Sequence, residues 1–200
     1  MNIFQIKSQP HGIERLDLFL SQGYICIGYP GIGDLSGVNK DEIRERLNNK
    51  YGWIGSQLGN HLGIVNAFVN TMEKDDLVLV KENDWVHIGR VNSYKYDRKF
   101  ESEGMCHRRD VKWLTKVKRD TLNAEIRELL SNRSILTKYK HLYETSGLEE
   151  ILSVKDRKEN IEVKYNDIIN RSIEILTKSL DSNDEHIRVH SATALLNYFK

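Results

Sequence analysis

The order of apolar and polar positions splits the chain into a strand-rich first part and a helical last part. Ile3, Phe4 and Ile6 predict a first strand, ended by Pro10. His11 to Gln22 carries Ile13, Leu16, Leu18, Phe19 and Leu20 at helical spacing, with Gly23 as its stop. Tyr24 to Tyr29 is a compact strand, and residues 30–37 are turn chemistry. Asn39 with Glu42 marks a helix start, and that helix runs to about Lys50. Gln57 to Met72 predicts another, with Leu58, Leu62, Val65, Phe68 and Val69 on its apolar face. Gly59 and Gly63 on it permit either close packing on a sheet or close approach of a ligand. Asp76 to Lys81, Trp85 to Val91 and Met105 to Leu114 predict three more strands. Beyond Arg119 the period becomes helical, over 120–131, 134–143, 147–156, 161–180 and 184–199.

These elements predict an α+β fold: a small mixed β-barrel with flanking helices over 1–118, a helical linker over 119–145, and an all-α bundle or hairpin over 146–200. The chain has 200 residues, with a hydrophobic fraction of 39% and a charged fraction of 30%, as expected of a globular protein. No apolar run approaches the roughly 20 residues of a membrane span, so no membrane partner is expected. Residues 1–7 lack the basic and apolar regions of a secretory signal, which predicts a cytoplasmic location. Cys26 and Cys106 alone make neither a disulfide framework nor a zinc site, and no cofactor is expected.

Charge changes the picture locally. The net charge is +1, yet Gly104 to Arg119 holds six basic residues against one acidic. From Glu144 onward eight Lys and Arg face eleven Asp and Glu. The basic segment adjoins aromatics: Trp85, Tyr94, Tyr96 and Trp113 surround Arg90, Arg108, Arg109 and Lys112. Interleaved rings and cations are what holds a base by stacking and its phosphates by charge. Trp85 and Trp113 read as core; for Tyr29 and Trp53 core packing and ligand stacking are both open.

Residues 25–114 carry a further signal. Gly23 to Tyr29 (GYICIGY), Gly33-Asp34-Leu35-Ser36, a helix with Ser56, Asn60 and Phe68, Asp75 to Val80, Ile88 to Val91, Tyr94, Tyr96 and His107 to Leu114 follow in order. This stretch resembles the EVE-like branch of the PUA/ASCH/YTH superfamily, as found at the N-terminus of modification-dependent restriction proteins of the Mrr and McrB type. The resemblance implies a PUA-like barrel that reads a modified base of DNA or RNA flipped into an aromatic pocket, with DNA the favoured partner, in restriction or phage defence. It implies a nucleobase pocket of Tyr29, Asp34, Trp53, Ser56, Asn60, Tyr94 and Tyr96, with Tyr29 where the family usually has Trp. It implies nucleic-acid backbone contacts from Arg90, Arg108, Arg109, Lys112 and Lys116. The helical tail, 146–200, is then expected to form a homodimer or dock an effector protein.

Two rivals compete. Glu162-Val163-Lys164 with Asp156 echoes a restriction-nuclease site, but the Asp is too close and the segment is helical, so no enzyme is expected. Cys106-His107 lacks a second ligand pair and reads as a barrel-strand pair, with no metal. The other rival is a protein–protein scaffold acting through the helical tail, with a degenerate barrel pocket. An open pocket at Tyr29, Trp53 and Tyr94 favours the reader, and a filled one the scaffold.

Overall fold

The computed structural model describes residues 1–199, with the side chains of 156–160, 162 and 163 outside the described set. The candidate nuclease residues Asp156 and Glu162 therefore lie outside the described side chains. The chain forms two compact units, 1–150 and 151–200.

The first unit is mixed α+β, built on a curled six-stranded half-barrel. Its strands are β1 (Ile3–Ile6), β2 (Tyr24–Ile27), β3 (Leu77–Glu82), β4 (Trp85–Tyr96), β5 (His107–Lys118) and β6 (Leu136–Lys138). They lie in the order β2-β5-β4-β3-β1-β6. The β1–β3 pair is parallel and the other pairs are antiparallel. Short strands buried along most of their length, such as Ile3–Ile6 and Tyr24–Ile27, explain the continuous apolar runs in the sequence.

Helices α1 (Leu16–Gln22), α2 (Lys40–Tyr51), α3 (Gly55–Asn66) and α4 (Ala124–Ser131) belong to the same unit. The Asn39 side chain caps α2 by accepting from the N–H groups of Asp41 and Glu42. A π-helical turn, Ala67–Thr71, continues α3. Phe4, Phe19, Ile25, Ile27, Leu35, Ile43, Leu47, Val65 and Phe68 form the core between sheet and helices.

Gly89 interrupts the apolar alternation of β4 for a packing reason. A Cβ there would lie 2.3 Å from Val111 Cγ1 and 2.8 Å from Trp113 Cε3. The indole of Trp113 crosses the strand at this point and donates from Nε1 to the Phe19 carbonyl at 2.8 Å.

Three expectations are corrected. The segment 134–143 is not helical: Leu136–Lys138 forms β6, which pairs with Phe4–Ile6 and satisfies the outer edge of β1. The segment 119–145 is not helical throughout, since it holds α4 and then β6, which lies in the sheet. The strand expected over Trp85 to Val91 runs on through Tyr94 and Tyr96, because β4 continues past a register shift between Val91 and Tyr94.

The second unit holds most of α5 (Leu148–Ser179) and α6 (Glu185–Tyr198). The expected helices 147–156 and 161–180 are one, since neither Gly nor Pro stands between them. Asp184 caps α6 through the His186 N–H. Among the described residues no helix is long and apolar enough to cross a membrane.

Candidate functional site

The ring-bearing positions converge beyond the end of β2. Tyr29 stands there with φ +75°, a conformation that costs a bulky residue of order 1–3 kcal/mol. Two contacts hold it. Its carbonyl accepts from His107 Nε2 at 3.1 Å, and its hydroxyl lies 2.9 Å from His61 Nδ1. The ring is 5% exposed, and burial raises the hydroxyl's pKa above its ordinary value.

Trp53 is placed by the end of α2. Gly52 adopts φ +68° and turns the chain, and Asn48 Nδ2 donates to the Trp53 carbonyl at 2.8 Å. The indole is thereby laid on Tyr51, with centroids 4.3 Å apart and planes at 10°. Its other face carries the imidazole of His61 at 3.9 Å and 17°. Tyr29 meets Tyr51, Trp53 and His61 edge-on at 6.4, 6.2 and 5.6 Å. The four rings are closed on one another, so both faces of Trp53 are covered by side chains of the chain itself.

His61 comes from α3, as do Ser56 and Asn60, which are exposed beside it. Gly59 and Gly63 flank His61, and a Cβ at either would meet no atom within 4 Å. Packing against the sheet does not account for them. Each lowers helix stability by roughly 1 kcal/mol relative to Ala.

A second ring group adjoins the first. Tyr94 and Tyr96 pack on His107 with centroid distances of 6.1 and 5.4 Å. The Tyr94 hydroxyl lies 2.8 Å from His107 Nδ1 and accepts from the Leu35 N–H at 3.3 Å. His107 Nε2 faces a carbonyl and must donate, so Nδ1 accepts from Tyr94. Burial lowers the His107 pKa to about 4 and keeps the ring neutral. Asp34 is exposed and turned away into an Asx turn, accepting from Ser36 N and Oγ at 2.8 and 2.7 Å. Slight burial raises its pKa, but these bonds outweigh that and hold it below the ordinary carboxylate value.

The basic positions separate into three environments. Arg109 is not available to a phosphate: it is 2% exposed and donates to the carbonyls of Phe68, Asn92, Val69 and Met72 at 2.6–3.1 Å. It caps the π-helical turn after α3 and ties it to the sheet. Arg108 is 7% exposed, with its guanidinium 3.6 Å from the Tyr24 centroid and 4.1 Å from that of Phe100. Its Nε has no acceptor. Arg90 and Lys112 face each other across β4 and β5, with Lys112 exposed. Arg90 Nη1 donates to the Asp75 carbonyl at 3.3 Å. Lys116 is exposed and paired with Glu82 at 2.5 Å.

Tyr51, His61 and His107 were not singled out for the pocket by the sequence. Tyr51 and Trp53 straddle a glycine, which is a detectable signal for a turn that folds one ring on another. Nothing in the period of α3 distinguishes His61. The cysteines are buried, and burial pushes the Cys26 thiol up to about 12 and that of Cys106 to about 11. Neither is a thiolate at neutral pH. Among the described residues no three His, Cys, Asp or Glu side chains converge as metal ligands.

Residues 9–144 match the family described as a domain of unknown function, DUF8426. The match spans more than half of the chain, and the chain belongs to that family. No curated protein matches it.

Proposed function

We propose that this chain is a non-catalytic reader of modified nucleic acid, taking one flipped base of DNA into the ring cluster around Trp53. The observation that carries the reading is the Trp53 stack. Tyr51 covers one face of the indole, and His61 covers the other from a helix weakened by two glycines that no packing requires. The ring cluster is filled by the chain's own side chains, the arrangement that by itself favours the scaffold; the reader requires that an entering base displace His61 and take its place at stacking distance. Each base–aromatic stack returns roughly 1–3 kcal/mol, against a few kcal/mol for flipping. Ser56 and Asn60, exposed on the same helix, offer polar contacts to a base edge. The strained backbone of Tyr29 adds support, because such strain concentrates at functional positions. The curled sheet with helices packed on it is compatible with the PUA-like barrel that the resemblance implies.

The test is fluorescence anisotropy with matched duplexes that are unmodified or carry N6-methyladenine, 5-methylcytosine or 5-hydroxymethylcytosine. A preference of tenfold or more for one modified duplex, lost in Tyr29→Ala and Trp53→Ala, is expected. Equal, salt-sensitive binding to all of them would overturn the reading.

The second unit favours an additional role in self-association. Ile161, Tyr165, Ile168 and Ile175 lie along α5, three of them spaced by seven, and are 53–67% exposed. In a two-fold dimer the same stripe of each copy covers the other, which removes these apolar side chains from water. A second copy of this chain is the occupant proposed for this face.

A further inference from the structure

The ring cluster leaves Trp85 unused. Expected as core, it is 38% exposed instead. Trp85 is the first residue of β4 and pairs in register with Lys118, the last residue of β5. Lys116 Nζ and Lys118 Nζ lie 5.4 and 5.9 Å from its ring centroid. The indole opens on a cavity of about 620 Å³, lined also by Asp84, Lys118, Arg119, Asp120 and Arg127. That volume lies in the range of small-ligand sites.

The cations of this cavity are not spent on its carboxylates. Among the described residues Lys118, Arg119 and Arg127 form no ion pair with Asp84 or Asp120. Arg119 Nη2 donates to Ser131 Oγ at 2.9 Å and to the Arg127 carbonyl at 3.5 Å. Its Nε is cut off from solvent without an acceptor. The guanidinium that carries it lines the cavity, where its charge stabilises an incoming oxyanion. An isolated anion would use the cations but would leave the exposed indole idle. A nucleotide uses both, through its phosphate and its base.

We propose that this cavity is a second nucleic-acid contact, which takes an unpaired nucleotide with its base on Trp85 and its phosphate on Arg119, Lys118 and Arg127. The class of ligand rests on the nucleic-acid reading above, but the site shares no residue with the ring cluster. Trp85 and Tyr96 stand at opposite ends of β4. Eleven steps along a strand cover about 35 Å, so a single nucleotide on Trp85 does not touch the residues at the Tyr96 end.

Binding of a twelve-residue oligothymidine single strand to the full chain tests this, by anisotropy across a salt series, with near-UV circular dichroism as the check on folding. Trp85→Ala is expected to weaken binding roughly five- to 150-fold, as for loss of one base stack. Trp85→Phe falls between it and the parent. Lys118→Gln and Arg127→Gln each lower the salt slope by about 0.7, the value for one phosphate of a single strand. Parent-like binding by Trp85→Ala and both Gln variants overturns the inference, as does a parent that does not bind the strand. The two readings fail separately. A lost preference for modified duplex with the Trp85 effect intact sinks only the base pocket; a kept preference with a flat Trp85 series sinks only this cavity.

Discussion

The Tyr94 hydroxyl donates to His107 Nδ1 at 2.8 Å while His107 Nε2 donates to the Tyr29 carbonyl at 3.1 Å. One neutral imidazole thus joins β4, β5 and the strained residue after β2. Protonation would turn Nδ1 into a donor and reverse the Tyr94 bond, while placing a charge in a buried site.

A pH dependence of stability follows from that arrangement. The His107 pKa is lowered to about 4, against an ordinary value of 6.5. Between these values the unfolded chain binds the proton and the folded chain does not, so stability rises with pH across that window and is flat above it. The difference amounts to about 3 kcal/mol from this one group. Urea unfolding from pH 4 to 7 is expected to show the rise, and His107→Gln to flatten much of it. A parent curve with no rise over this range would contradict the account of His107.

Arg109 predicts the largest loss of stability among the basic positions. Arg109→Met leaves the carbonyls of Phe68, Val69, Met72 and Asn92 without their donor. Breaking a buried charged network of this kind costs about 3–5 kcal/mol. Thermal unfolding is the measurement, and Lys112→Met, at an exposed position, is the control that shifts little.

How much of this was legible depends on the position. The β3 and β4 runs were, because Leu77–Val80 and Val86–Val91 carry enough apolar residues to mark strands whatever surrounds them. Strand β6 was not: three residues become a strand only because β1 offers an unpaired edge. The inward side of β5 was half legible. Arg109 alternates with Val111 and Trp113, which puts it on their face, yet its charge argued for solvent. Only the carbonyls after α3 explain an arginine there. Tyr29 and Trp53 were legible as ring positions, but their closure by His61 was not, since it depends on how α3 lies against the turn after α2.

Arg108 differs from Arg109 in what holds it. Its guanidinium is fixed by ring faces rather than by acceptors. Stacking of this desolvated kind contributes about 2 kcal/mol. Arg108→Ala is expected to lower stability by about that much. Arg108→Met is expected to recover most of it, because a long apolar side chain still fills the space between Tyr24 and Phe100. Equal losses in the two variants would show that charge, rather than the stack, is what matters.

The exposed face of α5 predicts a concentration-dependent assembly. Light scattering coupled to size exclusion is expected to give a dimer mass at tens of micromolar protein, and Ile168→Glu to give a monomer. A monomer mass for the parent at every concentration would remove self-association from the account.

The claim at the centre is that a base replaces His61 on the face of Trp53. Tryptophan emission during titration with the preferred modified duplex tests it most directly, read as the difference between the parent and Trp53→Phe. The account predicts saturable quenching that tracks the anisotropy change and is absent in Trp53→Phe. Binding seen by anisotropy with identical emission changes in the two proteins would mean that the base does not reach Trp53, and would contradict it.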